Sequence, residues 1–181
     1  LISKNGEYFI EDFPVNKMVE RVGSPFYVYS KEKLIPNFNS FKSYFNEIDH
    51  LICFAVKSNS NIGILNILAE IGAGFDIVSG GELERVISAK GDPKKIVFSG
   101  VGKTEDEIRL AISHDILAFN VETESELLRI QYVAKSLNKK ASISIRVNPN
   151  VDAKTHPYIS TGLKDNKFGL NEEEAIKMYK K

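Results

Sequence analysis

The sequence predicts an α/β fold, a (β/α)8 TIM barrel that is incomplete in this chain, and three observations predict it. Strand-like and helix-like segments alternate from residue 51 onward. Their connections are short, so four βα units run in a row, which implies a parallel sheet with helical crossovers. Each strand ends in polar residues, Lys57, Ser79, Ser99, Glu122, Arg146 and Asn148, as expected where a site is assembled at the C-terminal rim of a barrel. A doubly wound sheet would share the first two features; the third favours the barrel.

Residues 1–30 stand outside the alternation. Tyr8-Phe9-Ile10 and Phe26-Tyr27-Val28-Tyr29 read as short strands on either side of a helix near Val15–Val22, and are expected to join a separate β domain. Ser30 to Ile48, with Leu34, Phe38, Phe41, Phe45 and Ile48, reads as an amphipathic helix. Residues 51–57 read as the first barrel strand, uncharged until Lys57. Asn61 to Ile71 is a helix with Ile64, Leu65, Leu68 and Ile71 on one face, stopped by Gly72.

Phe75 to Ser79 is the second strand, and Ser79-x-x-Glu82 has the spacing of a capping box opening a helix that Gly91-Asp92-Pro93 ends. Ile96 to Ser99, Leu117 to Val121 and Ser142 to Val147 are the next strands. Thr104-x-x-Glu107 and Thr123-x-x-Glu126 cap the helices between them, and Asn171 with three glutamates opens another. A complete barrel takes roughly 250 residues. Five strands in 181 residues therefore read as the front of a longer protein, with residues 31–181 the first part of the barrel and apolar surface exposed where a sixth strand belongs.

Composition narrows the function classes. Twenty-four basic residues balance twenty-four acidic ones, which argues against a nucleic-acid or anionic-membrane surface. No apolar run approaches the ~18–20 residues of a membrane span. The single cysteine, Cys53, excludes an internal disulfide and a cysteine-based zinc site, and a reducing, cytoplasmic setting fits. The three histidines, His50, His114 and His156, lack metal-ligand spacing. Gly102-Lys103-Thr104 resembles the end of a P-loop, but Val97 stands where that motif needs its first glycine.

Four residues and one loop stand out. A lysine ending a buried strand is either solvated at the rim or held in a pocket as an amine that condenses with carbonyl compounds. Alternation puts Cys53 and Ala55 on the Lys57 side and Ile52, Phe54 and Val56 on the other, leaving room beside Lys57. Asp76, between Phe75 and Ile77, must be paired if buried; it is either a salt-bridge partner in the sheet or a partner of Lys57 or a cofactor. Glu82 is either a capping residue or part of the site. Arg146 shares the small-residue face of its strand with Ser142 and Ser144, and suits an anion. The long connection Asp152–Leu163, holding His156, Tyr158 and Ile159, suits a lid over a small molecule or a plain surface loop.

Phe54-Ala55-Val56-Lys57-Ser58-Asn59 resembles the lysine motif of the fold-type III pyridoxal-phosphate enzymes, whose alanine-racemase-like barrel carries a β domain; Ser58 stands where the family usually has alanine. Gly74 to Leu83 resembles that family's decarboxylase branch. Arg146 to Gly162, continuing to Asn166-Lys167-Phe168-Gly169, is similar to the members that act on meso-diaminopimelate. The resemblance implies that Lys57 is catalytic and carries pyridoxal 5'-phosphate. It implies that Asp76, Glu82 and Arg146 line the cofactor pocket, and that His156 and Ile159 face an amino-acid substrate. It also implies a homodimer with shared active sites and a product, L-lysine, released with CO2. The family's glycine-rich phosphate site and the acid facing the pyridine nitrogen do not appear in these residues. A relative acting on ornithine, arginine or a carboxylated polyamine, and a barrel that binds the cofactor without catalysis, are the competing readings.

Overall fold

The structure, a computed structural model, describes residues 1–148 and 168–180. The chain divides into two compact units, Leu1–His50 and Leu51–Lys181.

The first unit holds a three-stranded antiparallel sheet of β1 (Ile2–Lys4), β2 (Glu7–Ile10) and β3 (Phe13–Pro14), then helices α1 (Val15–Val22) and α2 (Lys31–Ser43). The β1–β2 hairpin turns on Asn5 and Gly6, both left-handed with φ of 53° and 80°. That pair of conformations makes the tight hairpin for which Asn-Gly is the sequence signal, one that the sequence reading above passed over. The expected strand over Phe26–Tyr29 does not form; β1 and β3 flank β2 instead. Helix α2 is also shorter than its apolar spacing suggested. Pro36 lies inside it and cannot donate a helical hydrogen bond, and Phe41, Phe45 and Ile48 are exposed.

Glu11, with φ of 55°, turns the chain between β2 and β3 and places its carboxylate at the start of α2. Its Oε1 accepts from the Glu32 N–H at 2.9 Å and the Ser30 hydroxyl at 2.8 Å. A carboxylate suits a helix N-terminus because the first N–H groups there lack helical partners.

The second unit is a five-stranded parallel sheet: β4 (Cys53–Ala55), β5 (Gly74–Ile77), β6 (Ile96–Phe98), β7 (Ala118–Val121) and β8 (Ile143–Ile145). The strands are hydrogen-bonded in strict sequence order, β4-β5-β6-β7-β8. A doubly wound sheet reverses its order at a switch point; this one never does, and right-handed crossovers then carry every helix to the same face. The unit is therefore part of a (β/α)8 barrel. Its helices are α3 (Ile62–Glu70), α4 (Gly80–Ser88), α5 (Glu105–Ser113), α6 (Glu124–Ser136) and α7 (Glu172–Tyr179). Among the described residues no helix is long and apolar enough to cross a membrane.

The register explains the two faces of the sheet. Phe54 pairs with Phe75 and Phe75 with Ile96; Ile77 pairs with Phe98, Phe98 with Phe119 and Phe119 with Ile143. Side chains two apart share a face, so these rows build one apolar layer against the helices. Phe75, Ile77, Ile96, Phe98, Phe119 and Val121 are fully buried there, and the Phe98 and Phe119 rings stack at 5.9 Å. The alternate row, Ala55–Asp76–Val97–Ala118, lies on the opposite face.

The Glu32 N–H, followed by the Ser30 hydroxyl, holds the Glu11 carboxyl below its ordinary 4.5. A carboxyl lowered in the folded state stabilises that state above the unfolded value and ceases to as pH falls through the lower folded value. Glu11 is thus expected to titrate below 4.5 by NMR, and acidification below 4.5 to weaken the first unit less in Glu11→Gln than in the parent.

Candidate functional site

Where the inner rows reach the C-terminal ends of the strands they line a cleft of about 630 Å³. Lys57 comes from the turn after β4, Asp76 from β5 and Val78 from just after it, Ser99 and Gly100 from just after β6, Asn120 from β7 and Glu122 from just after it, and Ser144 from β8 and Arg146 from just after it. Seven of the eleven lining residues are polar, with Val78, Gly100, Val101 and Phe168 the others, whereas the residues between them, Ile77, Phe98, Phe119, Val121 and Ile145, are buried against helices.

Lys57 reaches the cleft by a route the sequence did not show. The expected strand over residues 51–57 stops at Ala55, and Val56–Ser58 forms a single 3₁₀ turn, tied by the Ser58 hydroxyl donating to the Ala55 carbonyl at 2.7 Å. Val56 points into the core and is fully buried, while Lys57 is exposed to the cleft. Its amine has no hydrogen bond or ion pair among the described residues.

Asp76 has no basic partner among the described residues. Its Oδ1 accepts from the Ser99 hydroxyl at 2.5 Å, and Ser99 in turn accepts from Asn120 Nδ2 at 2.9 Å. This polar chain crosses three adjacent strands and satisfies a carboxylate that would otherwise be costly on a half-buried face. Burial pushes the Cys53 thiol, two residues before the end of β4, above its ordinary 9.0, and the nearby Asp76 charge adds to the shift.

Arg146 Nη1 donates to Glu122 Oε1 at 3.1 Å, and the guanidinium lies 5.3 Å from the centre of the Phe168 ring. Residues 168–170 return beside the end of β8: Val147 bridges Leu170, and Leu170 N–H donates to the Arg146 carbonyl at 2.9 Å. Gly169, with φ of 86°, makes this approach possible. A Cβ there would stand 2.7 Å from the Arg146 carbonyl oxygen and 3.0 Å from its Cγ.

Glu82 is not among the cleft-lining residues. Its N–H donates to Ser79 Oγ at 3.2 Å and its carboxylate accepts the Val78 N–H at 2.8 Å. Glu126 repeats the arrangement two βα units on, at the start of α6: its N–H donates to Thr123 Oγ1 at 3.2 Å and its carboxylate accepts the Glu122 N–H at 2.9 Å. In both, the glutamate reaches one residue past the cap, closing the strand-to-helix loop. Thr104 and Glu107 form the full reciprocal box, and Glu107 also accepts the Gly80 N–H at 2.8 Å, joining two neighbouring loops. Burial raises the Glu107 carboxyl, but the Gly80 and Thr104 N–H groups, the Thr104 hydroxyl and Lys103 together hold it below its ordinary 4.5.

Lys103, which the sequence offered only as a failed P-loop lysine, is a buried ammonium. It donates to Glu126 Oε1 at 2.5 Å, Gly100 carbonyl at 2.7 Å and Asn120 carbonyl at 2.9 Å. The structure thus brings Lys57, Asp76 and Arg146 to one cleft and adds Ser99, Asn120, Glu122 and Ser144. Asn120 carried the same signal as Asp76, a polar side chain between two large apolar ones. His156 and Ile159 lie outside the described residues.

Residues 31–181 match the family described as pyridoxal-dependent decarboxylase, pyridoxal binding domain. The chain belongs to this family. A diaminopimelate decarboxylase of Haemophilus influenzae is 55% identical over 177 residues, which cover 98% of this chain and 43% of the relative. The crystal structure of diaminopimelate decarboxylase from Helicobacter pylori complexed with L-lysine is 49% identical, with a TM-score of 0.87 over 91% of this chain and 42% of that one. The M. jannaschii diaminopimelate decarboxylase structure is 43% identical, with a TM-score of 0.86 over 98% of this chain and 43% of that one. The chain thus spans less than half the length of the decarboxylases it matches.

The residues present fit the family's cofactor in part. The unengaged Lys57 amine suits an aldehyde, and the Asp76–Ser99–Asn120 chain with Arg146 offers polar contacts to a ring and its substituents. Arg146 is the only guanidinium lining the cleft, and it is already paired with Glu122, so the described lining shows no separate phosphate cradle.

Lys103→Met leaves Glu126 as an uncompensated buried carboxylate, and urea unfolding is expected to show a loss of about 3–5 kcal/mol. Lys103→Met with Glu126→Gln is expected to recover a good part of it, since the second change removes the stranded charge.

Proposed function

We propose that this chain forms the cofactor-bearing part of a pyridoxal-phosphate-dependent carboxy-lyase that converts meso-2,6-diaminopimelate to L-lysine and CO2, the last step of lysine biosynthesis. The observation that carries the reading is the convergence of Lys57, Asp76 and Arg146 on one polar cleft in a chain about half identical to diaminopimelate decarboxylases over nearly its whole length.

When bound, the cofactor supplies an electron sink for the pair left behind as the α-carboxylate departs. This chain's residues do the rest. Lys57 would hold the cofactor's aldehyde through its Nζ, and its amine when free would move a proton. Asp76, fixed by Ser99, presents a carboxylate beside the position Lys57 occupies. Arg146 orients an anionic group, with Glu122 and the Phe168 ring limiting its swing. Glu82 acts on the cofactor pocket from its rim, through the Val78–Ser79 loop it closes. His156 and Ile159 are assigned to the substrate side on the resemblance of their segment alone.

Residues 1–30 are assigned to a β domain and 31–181 to the barrel; the antiparallel sheet of β1–β3 and the start of the family match at residue 31 support this division. Family membership supports a homodimer with shared sites. The lone cysteine and absence of a membrane-spanning helix among the described residues support a cytoplasmic setting.

Borohydride reduction in the presence of pyridoxal 5'-phosphate, followed by peptide mass spectrometry, is expected to place the adduct on Lys57. Lys57→Ala is expected to abolish trapping and, in the full-length parent protein, to slow CO2 release from diaminopimelate by at least roughly 10²–10⁴-fold, the range lost with a proton-transferring group alone. An adduct on another lysine in the folded protein would refute the assignment.

A further inference from the structure

One buried atom in the cleft wall has no hydrogen-bond partner among the described residues. The Glu122 side chain is 2% exposed. Its Oε1 accepts from Arg146, but Oε2 is buried and receives no hydrogen bond from any described residue. A carboxylate oxygen in that state is costly unless a donor arrives.

The neighbouring donors are already committed. The Glu122 N–H donates to Glu126, and the Lys103 ammonium has three acceptors. Arg146, 42% exposed, has turned Nη1 to Oε1. The charges also close: Lys103 with Glu126 and Arg146 with Glu122 make a neutral quartet. Oε2 therefore does not need a further structural cation; it needs a hydrogen-bond donor. The cleft is the open side from which one can come, and its other ionisable side chains are Lys57 and Asp76.

We propose that Glu122 is a positioning and ligand-accepting residue: Oε1 fixes Arg146, and Oε2 takes an N–H or O–H donor of the molecule held in the cleft. That molecule is the cofactor itself or the amino acid bound with it. The inference rests on the function proposed above. The unpartnered oxygen separates it from a purely structural salt bridge, which would be complete with Arg146 alone.

The test uses the full chain, as wild type, Glu122→Gln and Glu122→Asp, titrated with pyridoxal 5'-phosphate by its near-visible absorbance and then with L-lysine. A wild type that gives no band overturns the functional reading itself. Given a wild-type band, Glu122→Gln is expected to weaken cofactor binding at least about tenfold. It is also expected to lower the pH midpoint of the band by about one unit, because removing an anion beside a protonated donor favours deprotonation. Cofactor affinity within twofold but L-lysine affinity reduced tenfold places the donor on the amino acid and also supports the proposal. Glu122→Asp keeps the charge while withdrawing the oxygen, so it is expected to lose affinity with little change in midpoint; it serves if the glutamine variant does not fold. Both affinities and the midpoint unchanged, with only the melting temperature lowered, would overturn the proposal and leave Glu122 a structural partner of Arg146.

Discussion

Everything in the second unit depends on one constraint: successive side chains of a strand point to opposite faces, and the five strands pair in sequence order. The order sends all helices to one face. The alternation then assigns each strand residue either to the helical layer or to the cleft. Phe75, Phe98 and Phe119 fill the first, and Asp76, Ser99 and Asn120 form a hydrogen-bonded chain on the second. A slip of one residue in β6 would bury Ser99 among phenylalanines and break that chain.

The loops above the strands are fixed by glutamates. Glu82 and Glu126 each accept an N–H four residues back, and Glu107 spans its own cap and the start of α4. Lys103 ties the Gly100 and Asn120 carbonyls to Glu126 from below the surface. Rigid loops matter where side chains must hold a small molecule in one geometry. Here the device that starts each helix also steadies the cleft, so fold and site share the same residues.

Several parts were legible in the sequence because they depend on local spacing. The order of elements, the capping residues Asn61, Ser79, Thr104, Thr123 and Asn171, and the apolar faces of the helices all follow from patterns within a few residues. The likeness of three segments to fold-type III decarboxylases pointed to Lys57, Asp76 and Arg146, which the cleft brings together. Other parts were not legible. The Phe26–Tyr29 run has strand-forming residues but no strand, since propensity yields to the pairing that β1 and β3 provide. Lys103 showed only as part of an incomplete P-loop pattern, because two of its three acceptors, the Asn120 carbonyl and Glu126, lie 17 and 23 residues away.

The sequence by itself determined which residues alternate, where each helix begins and which family the chain resembles, because these are properties of neighbouring residues. Only the tertiary structure decided that Lys57 leaves its strand on a 3₁₀ turn, that Gly169 lets Phe168 close on Arg146, and that Glu122 keeps one oxygen buried and unpartnered among the described residues. The last two depend on groups 20 or more residues apart meeting at one strand end, as Arg146 and Glu122 do across 24 positions, whereas the Lys57 turn is closed locally by the Ser58 hydroxyl on the Ala55 carbonyl. Sequence spacing carries no record of such meetings; register and loop closure create them.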